Sequence, residues 1–143
     1  MVDLKRQGEL RGGIELLYFA YRGFTDRPDR ILERRGLGRV HHRILYFIGQ
    51  QPDVSVRGLL DLLAVSKQAL NAPLRQLLEM QLVSALADPA DRRVKNLRLT
   101  PEGQRLEAEL TGAQMRHLQS AFERAGVEQE PGWRAVMAEL AKG

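Results

Sequence analysis

Residues 55–103 hold two short helical patterns with two residues between them, followed at once by two apolar runs joined through turn formers. Few folds accept that order. In SVRGLLDLLA, Ser55 stands where an N-cap is needed, and Val56, Leu59, Leu60 and Leu63 fall on one helical face. Only Ala64 and Val65 then precede SKQALNAPLRQLLEMQ, in which Ser66 is a second cap and Leu70, Leu74, Leu77 and Leu78 form the apolar stripe. Two capped helices with so brief a turn between them read as a helix-turn-helix.

The apolar runs are LVSAL (Leu82–Leu86) and VKNLRL (Val94–Leu99), the second alternating with the period of two that marks a half-buried strand. Between them lies DPAD, a cluster of turn formers, and then Arg92 and Arg93 at the expected hairpin tip. Thr100-Pro101-Glu102 opens the next helix with a cap, a proline and a first-turn acid. A helix-turn-helix running into a two-stranded hairpin is a winged helix. The expected fold class is therefore mainly α with a small β-hairpin wing.

The physics of that arrangement suits double-stranded DNA. A helix fits the major groove, and a cationic hairpin tip reaches phosphates or the adjacent minor groove. With the leucines inward, the outer stripe of the second helix carries Lys67, Gln68, Asn71 and Arg75. Asn and Gln pair bidentately with adenine and Arg with guanine, while Ser66 and the free N–H groups at the helix start suit a phosphate. A merely solvated helix face would look equally polar. At the wing, Arg92 and Arg93 lead as groove and phosphate contacts, supported by Lys95 and Arg98. Asp88 and Asp91 suit turn geometry or the orientation of an arginine. Pro73 lies inside the second helix and predicts a kink there.

Charge is distributed accordingly. Residues 39–98 carry nine Lys/Arg against five Asp/Glu, whereas residues 1–38 carry eight against six and residues 99–143 five against seven. The excess sits around the helix-turn-helix and hairpin, the pattern of a binding region with near-neutral flanks. Those flanks are helical. Ile14–Phe24 is apolar on nearly every side, as in a helix buried by more than one neighbour, often a partner chain. Pro28 interrupts that pattern, and Gly36 and Gly38 end it. Val40, Ile44, Leu45, Phe47 and Ile48 mark the next helix. A long amphipathic helix from Pro101 to about Phe122 and a short one over WRAVMAEL complete the chain.

At 143 residues, one domain is expected. The chain has no cysteine, which excludes disulfides, thiolate-bound zinc and thiol redox sensing. His41, His42 and His117 lack metal-ligand spacing, so no metal is expected, and no P-loop, nucleophile elbow or dinucleotide glycine pattern occurs. Neither catalysis nor a cofactor is indicated. The charged start MVDLKRQGELRGG is not a signal peptide and no run reaches membrane-spanning length, so a cytoplasmic protein without membrane contact is expected.

The block DPADRRVKNLRLTPEG, preceded by LLDLLAVSKQALNAPLRQLLEMQLV, resembles the multiple antibiotic resistance regulator (MarR) family of bacterial transcription factors. Its wing carries a D-P-x-D-R-R pattern running into L-T-x-x-G, and the order of elements extends the likeness from about residue 10 to the end. The resemblance implies a homodimer interlocked through helices at about 8–35 and 101–143, with the winged helix at about 39–100. It implies a sequence-specific regulator, commonly a repressor, on a pseudo-palindromic operator. Many members release DNA when a small aromatic or phenolic effector binds between the dimerisation helices and the winged helix; the matching region here holds Tyr18, Phe19, Arg22, His42 and Tyr46. Two other readings compete: an architectural DNA-binding protein without an effector, and a winged helix used as a protein-interaction module.

Overall fold

The structure, a computed structural model, describes residues 3–143. They fall into two compact units, one formed by residues 26–112 and one by residues 3–25 with 113–143. Helix α1 (Leu4–Glu33) and helix α5 (Pro101–Ala125) each contribute to both.

The unit of residues 26–112 is the winged helix. Between α1 and α5 it contains α2 (Arg39–Gln50), β1 (Val54–Ser55), α3 (Val56–Leu63), α4 (Lys67–Glu79), β2 (Val83–Ala87) and β3 (Lys95–Leu99). Its core is aliphatic: Leu32, Ile44, Leu45, Ile48, Leu59, Leu70, Leu77, Leu82, Leu97 and Leu110 are fully buried. In α2 the buried Ile44, Leu45 and Ile48 and in α4 the buried Leu70, Leu74 and Leu77 recur at three or four residues, so these amphipathic faces turn to that core. Both expected serine caps form: the Ser55 hydroxyl accepts from the Gly58 N–H (3.0 Å) and that of Ser66 from the Ala69 N–H (3.1 Å).

The sheet has three strands rather than the expected two. Its order is β1-β3-β2, all antiparallel, with Val54 opposite Leu97 and Val83 opposite Leu99. A strand of two residues shows no periodicity, so sequence reading passes over β1. Asp53 sets it in place by adopting φ 71° and donating its N–H to the Leu97 carbonyl (3.0 Å).

Pro28 does not interrupt α1. The helix runs through it to Glu33, with the proline buried and the Asp26–Arg30 ion pair (3.0 Å) spanning it. One lost backbone bond is offset by packing and by intact turns on either side. Gly36 then ends the helix at φ 70°: its N–H bonds the Glu33 carbonyl while the Leu37 N–H bonds that of Leu32, the pattern of a Schellman stop. Helix α4 likewise stays continuous through Pro73.

In the other unit, α6 (Glu130–Ala141) follows α5 after a short 3₁₀ turn at Val127–Gln129 and starts three residues before the expected Trp133, with Pro131 in its first turn. Phe122 and Trp133 meet edge to face at 5.2 Å. Large apolar side chains remain exposed on this unit, among them Ile14, Leu16, Leu17, Val127, Val136 and Leu140.

Candidate nucleic-acid interface

Helices α3 and α4 meet in a turn of three residues. Ala64 takes the left-handed conformation (φ 53°, ψ 42°), ending α3, and Ser66 begins α4 with extended backbone. Burial of Leu70, Leu74 and Leu77 sets the roll of α4 and leaves Ser66, Lys67, Gln68, Asn71 and Arg75 exposed. Ser66 uses an oxygen lone pair for its cap, so its O–H stays available to donate.

The wing tip is a chain of carboxylate contacts. Asp88 accepts from the N–H groups of Ala90 (2.8 Å) and Asp91 (3.2 Å), and its second oxygen accepts from the Asn96 amide (2.9 Å). Asp91 accepts from the Arg93 N–H (3.0 Å) and takes the Arg93 guanidinium through both oxygens (3.1 Å each). The two acids thus both shape the turn and aim an arginine. The Asn96 amide bond lowers the Asp88 carboxyl below its ordinary value, as the Arg93 guanidinium does for Asp91. Arg93 nevertheless keeps a side chain that is 91% exposed. Arg92 and Lys95 are exposed and have no ion-pair partner among the described residues.

Arg98 differs from its neighbours. It forms a two-pronged pair with Asp53 (2.6 and 2.7 Å), tying β3 to the turn before β1 and holding the Asp53 carboxyl below its ordinary value. Expected as a support for phosphate contacts, Arg98 is already engaged with a carboxylate. Asp53 went unnoticed in the sequence because its partner lies 45 residues away.

The residues expected to meet an effector fall into two groups. On α1, Tyr18 and Phe19 stack edge to face at 5.3 Å, and the Arg22 guanidinium lies 5.8 Å from each ring centre, within cation–π range. On α2, His42 and Tyr46 stand one turn apart. His42 is buried with Nε2 3.2 Å from the Thr111 hydroxyl, and burial lowers its pKa against the opposing pull of Glu107 and Asp29. Tyr46 is half-buried, edge-on to Phe47 at 5.2 Å. Among the described residues no group of three or more His, Asp or Glu side chains could hold a metal ion, and no helix is long and apolar enough to cross a membrane.

Comparison with known proteins decides the family. The MarR family model matches residues 35–94. The HTH-type transcriptional regulator PetP of Rhodobacter capsulatus is 43% identical over 129 residues, covering 90% of this chain and 78% of that protein. The chain belongs to the MarR family. It is accordingly a DNA-binding helix-turn-helix transcriptional regulator and not an enzyme. Two solved MarR-type structures share its fold. The Staphylococcus aureus MepR–DNA complex has a TM-score of 0.73 at 19% identity, covering 90% of this chain and 95% of that one. NadR in complex with 4-hydroxyphenylacetate has a TM-score of 0.72 at 24% identity, covering 88% and 89%.

The family's L-T-x-x-G sequence acquires a physical reason here. Thr100 donates its hydroxyl to the Gln81 carbonyl (2.6 Å), accepts from the Gly103 N–H (3.0 Å), and gives its own N–H to the Leu82 carbonyl (3.1 Å). These bonds weld the start of α5 to the exit of α4. Gly103 is obligatory because a Cβ there would lie 1.9 Å from the Leu82 carbonyl oxygen. The motif is therefore scaffold for the wing rather than a contact.

Proposed function

We propose that this chain is a site-specific repressor in the cytoplasm that binds a pseudo-palindromic operator as a homodimer and is released by a small aromatic or phenolic effector. The observation that carries the DNA part is the exposed stripe Ser66, Lys67, Gln68, Asn71 and Arg75 on a rigidly rolled α4, in the same compact unit as the free cations Arg92 and Lys95 and the aimed Arg93. Gln68, Asn71 and Arg75 read base edges. Ser66 and Lys67 hold phosphate, and the wing arginines enter the minor groove with Lys95 on the backbone. That MepR was captured with DNA supports the same use of the fold.

In this reading the whole chain works as one MarR-type domain. The apolar side chains left exposed on α1 and α6 supply the dimer contact, since a soluble monomer seldom leaves so many large ones uncovered. The Tyr18–Phe19–Arg22 cluster is the best candidate for holding an aromatic carboxylate, its rings and guanidinium matching ring and charge. NadR carries a ligand of that chemical class.

The test is a titration of the protein against fluorescent duplex from its own upstream region and against unrelated duplex, at two salt concentrations. Tight, sequence-preferring binding that weakens by orders of magnitude between about 50 and 200 mM salt supports the reading. Equal binding to both duplexes indicates an architectural protein. No binding by a folded dimer refutes the DNA assignment. Arg93→Glu should abolish binding while leaving fold and oligomeric state intact.

A further inference from the structure

A hydrogen-bonded chain of polar groups runs from the α1–α2 corner to α4. The Gly38 N–H donates to His41 Nδ1 at 2.9 Å. A backbone N–H can only donate, so Nδ1 carries no proton and the neutral ring holds its hydrogen on Nε2. That hydrogen points to Gln76 Oε1 at 2.9 Å. The amide orientation follows, and Gln76 Nε2 donates to the Gly36 carbonyl at 3.2 Å. Every direction in the chain is dictated by one main-chain N–H.

We propose that His41 and Gln76 are positioning residues for DNA reading, bracing the recognition helix α4 against the corner Gly36–Gly38. Gln76 directly follows Arg75 and lies five residues after Asn71, so its attachment governs the part of α4 that carries the reading side chains. The corner is a fixed point. Gly36 is locked by the Schellman bonds, Leu37 is buried, and Gly38 caps α2. The helix also needs a brace. Pro73 has no N–H, so the turn beginning at Ala69 lacks one helical bond, and α4 holds its line there with less help from its own backbone. A tether three residues beyond the proline restores an external constraint where the internal one is missing. His41 is buried, whereas Gln76 reaches the corner from a half-buried position, which leaves its replacement compatible with folding.

The proposal rests on the DNA-reading assignment of α4, and the experiment separates the two. Full-length wild type, Gln76→Met (equal length, no hydrogen bonds) and Gln76→Glu (accepts from His41, cannot donate to Gly36) are titrated with the upstream duplex and with unrelated duplex. Ring nitrogens of His41 are observed by NMR on labelled protein without DNA. The expected result is an unprotonated Nδ1 in wild type. Gln76→Met should reduce the preference for the upstream duplex about tenfold through weaker binding to that duplex alone, and Gln76→Glu should fall in between. Binding to unrelated duplex should stay within twofold, because phosphate contacts do not depend on base-edge register. An Nδ1-protonated ring, or an unchanged preference in Gln76→Met when the wild type shows one, overturns the proposal alone. A wild type that binds neither duplex, or prefers neither, overturns the DNA-reading assignment and this proposal with it, whatever the His41 spectrum shows.

Discussion

Replacing Gly103 by alanine should be among the most damaging single-methyl additions this chain can receive. The new Cβ would sit 1.9 Å from the Leu82 carbonyl oxygen, 2.9 Å from its carbon and 3.3 Å from Leu82 Cα. A carbon approaches a carbonyl oxygen no closer than about 3.3 Å without strain, so the start of α5 must retreat by roughly 1.4 Å. The obstacle is main chain at the head of the sheet and cannot rotate aside. A shift of that size breaks the Thr100 N–H bond to the Leu82 carbonyl and the Thr100 hydroxyl bond to the Gln81 carbonyl. Two bonds at about 1 kcal/mol each and an overpacking cost of about 1–3 kcal/mol total about 3–5 kcal/mol. Urea unfolding of wild type and variant at one fixed protein concentration measures it; with a slope of about 1–3 kcal/mol/M, the midpoint should fall by more than 1 M. Gly132→Ala, where nothing lies within 4 Å, is the control and should change stability by less than about 1 kcal/mol. A Gly103→Ala loss under about 1 kcal/mol, or one equal to the control, would refute the close-approach argument.

Three further outcomes follow from the geometry. Ala64→Gly should stabilise the protein by about 0.5–1 kcal/mol in the same assay, because φ 53° costs an alanine energy that glycine does not incur. Asp53, Asp88 and Asp91 are each held below the ordinary aspartate value by their hydrogen bonds, so their contribution to wing order is complete above about pH 4, the unfolded value, and is lost as pH falls through the lower folded values. Amide exchange in the wing should therefore be flat from pH 7 to 5, once corrected for intrinsic rates, and accelerate below 4. His42 has the same sign for a different reason: buried neutral, it binds its proton more weakly folded than unfolded. Stability should decline as pH drops below about 6.5, and His42→Gln should remove that slope; a slope unchanged in the variant would assign it elsewhere.

Much of this molecule was legible in the chain because its signals are local. Ser55 and Ser66 are capping residues next to apolar stripes, and the stripes themselves set which side chains face out; Gln68, Asn71 and Arg75 are exposed because Leu70, Leu74 and Leu77 are buried. DPADRR likewise encodes its own turn, since each of its carboxylates bonds residues within eight positions. Pro28 was misleading for the converse reason. A proline signals a break locally, but the neighbouring turns and a buried environment keep α1 whole.

By itself, then, the sequence determined the order of elements, the faces of the helices and the charge of the wing, all consequences of spacing over a few residues. Only the tertiary structure decided that Arg98 belongs to Asp53, that Gly103 must be glycine, that β1 joins the sheet, and that His41 and Gln76 join α4 to the corner after α1. Each of those depends on atoms 21 to 45 residues apart in the chain. Their pairing leaves no periodic trace, because it arises when packed elements bring them within hydrogen-bond or van der Waals range.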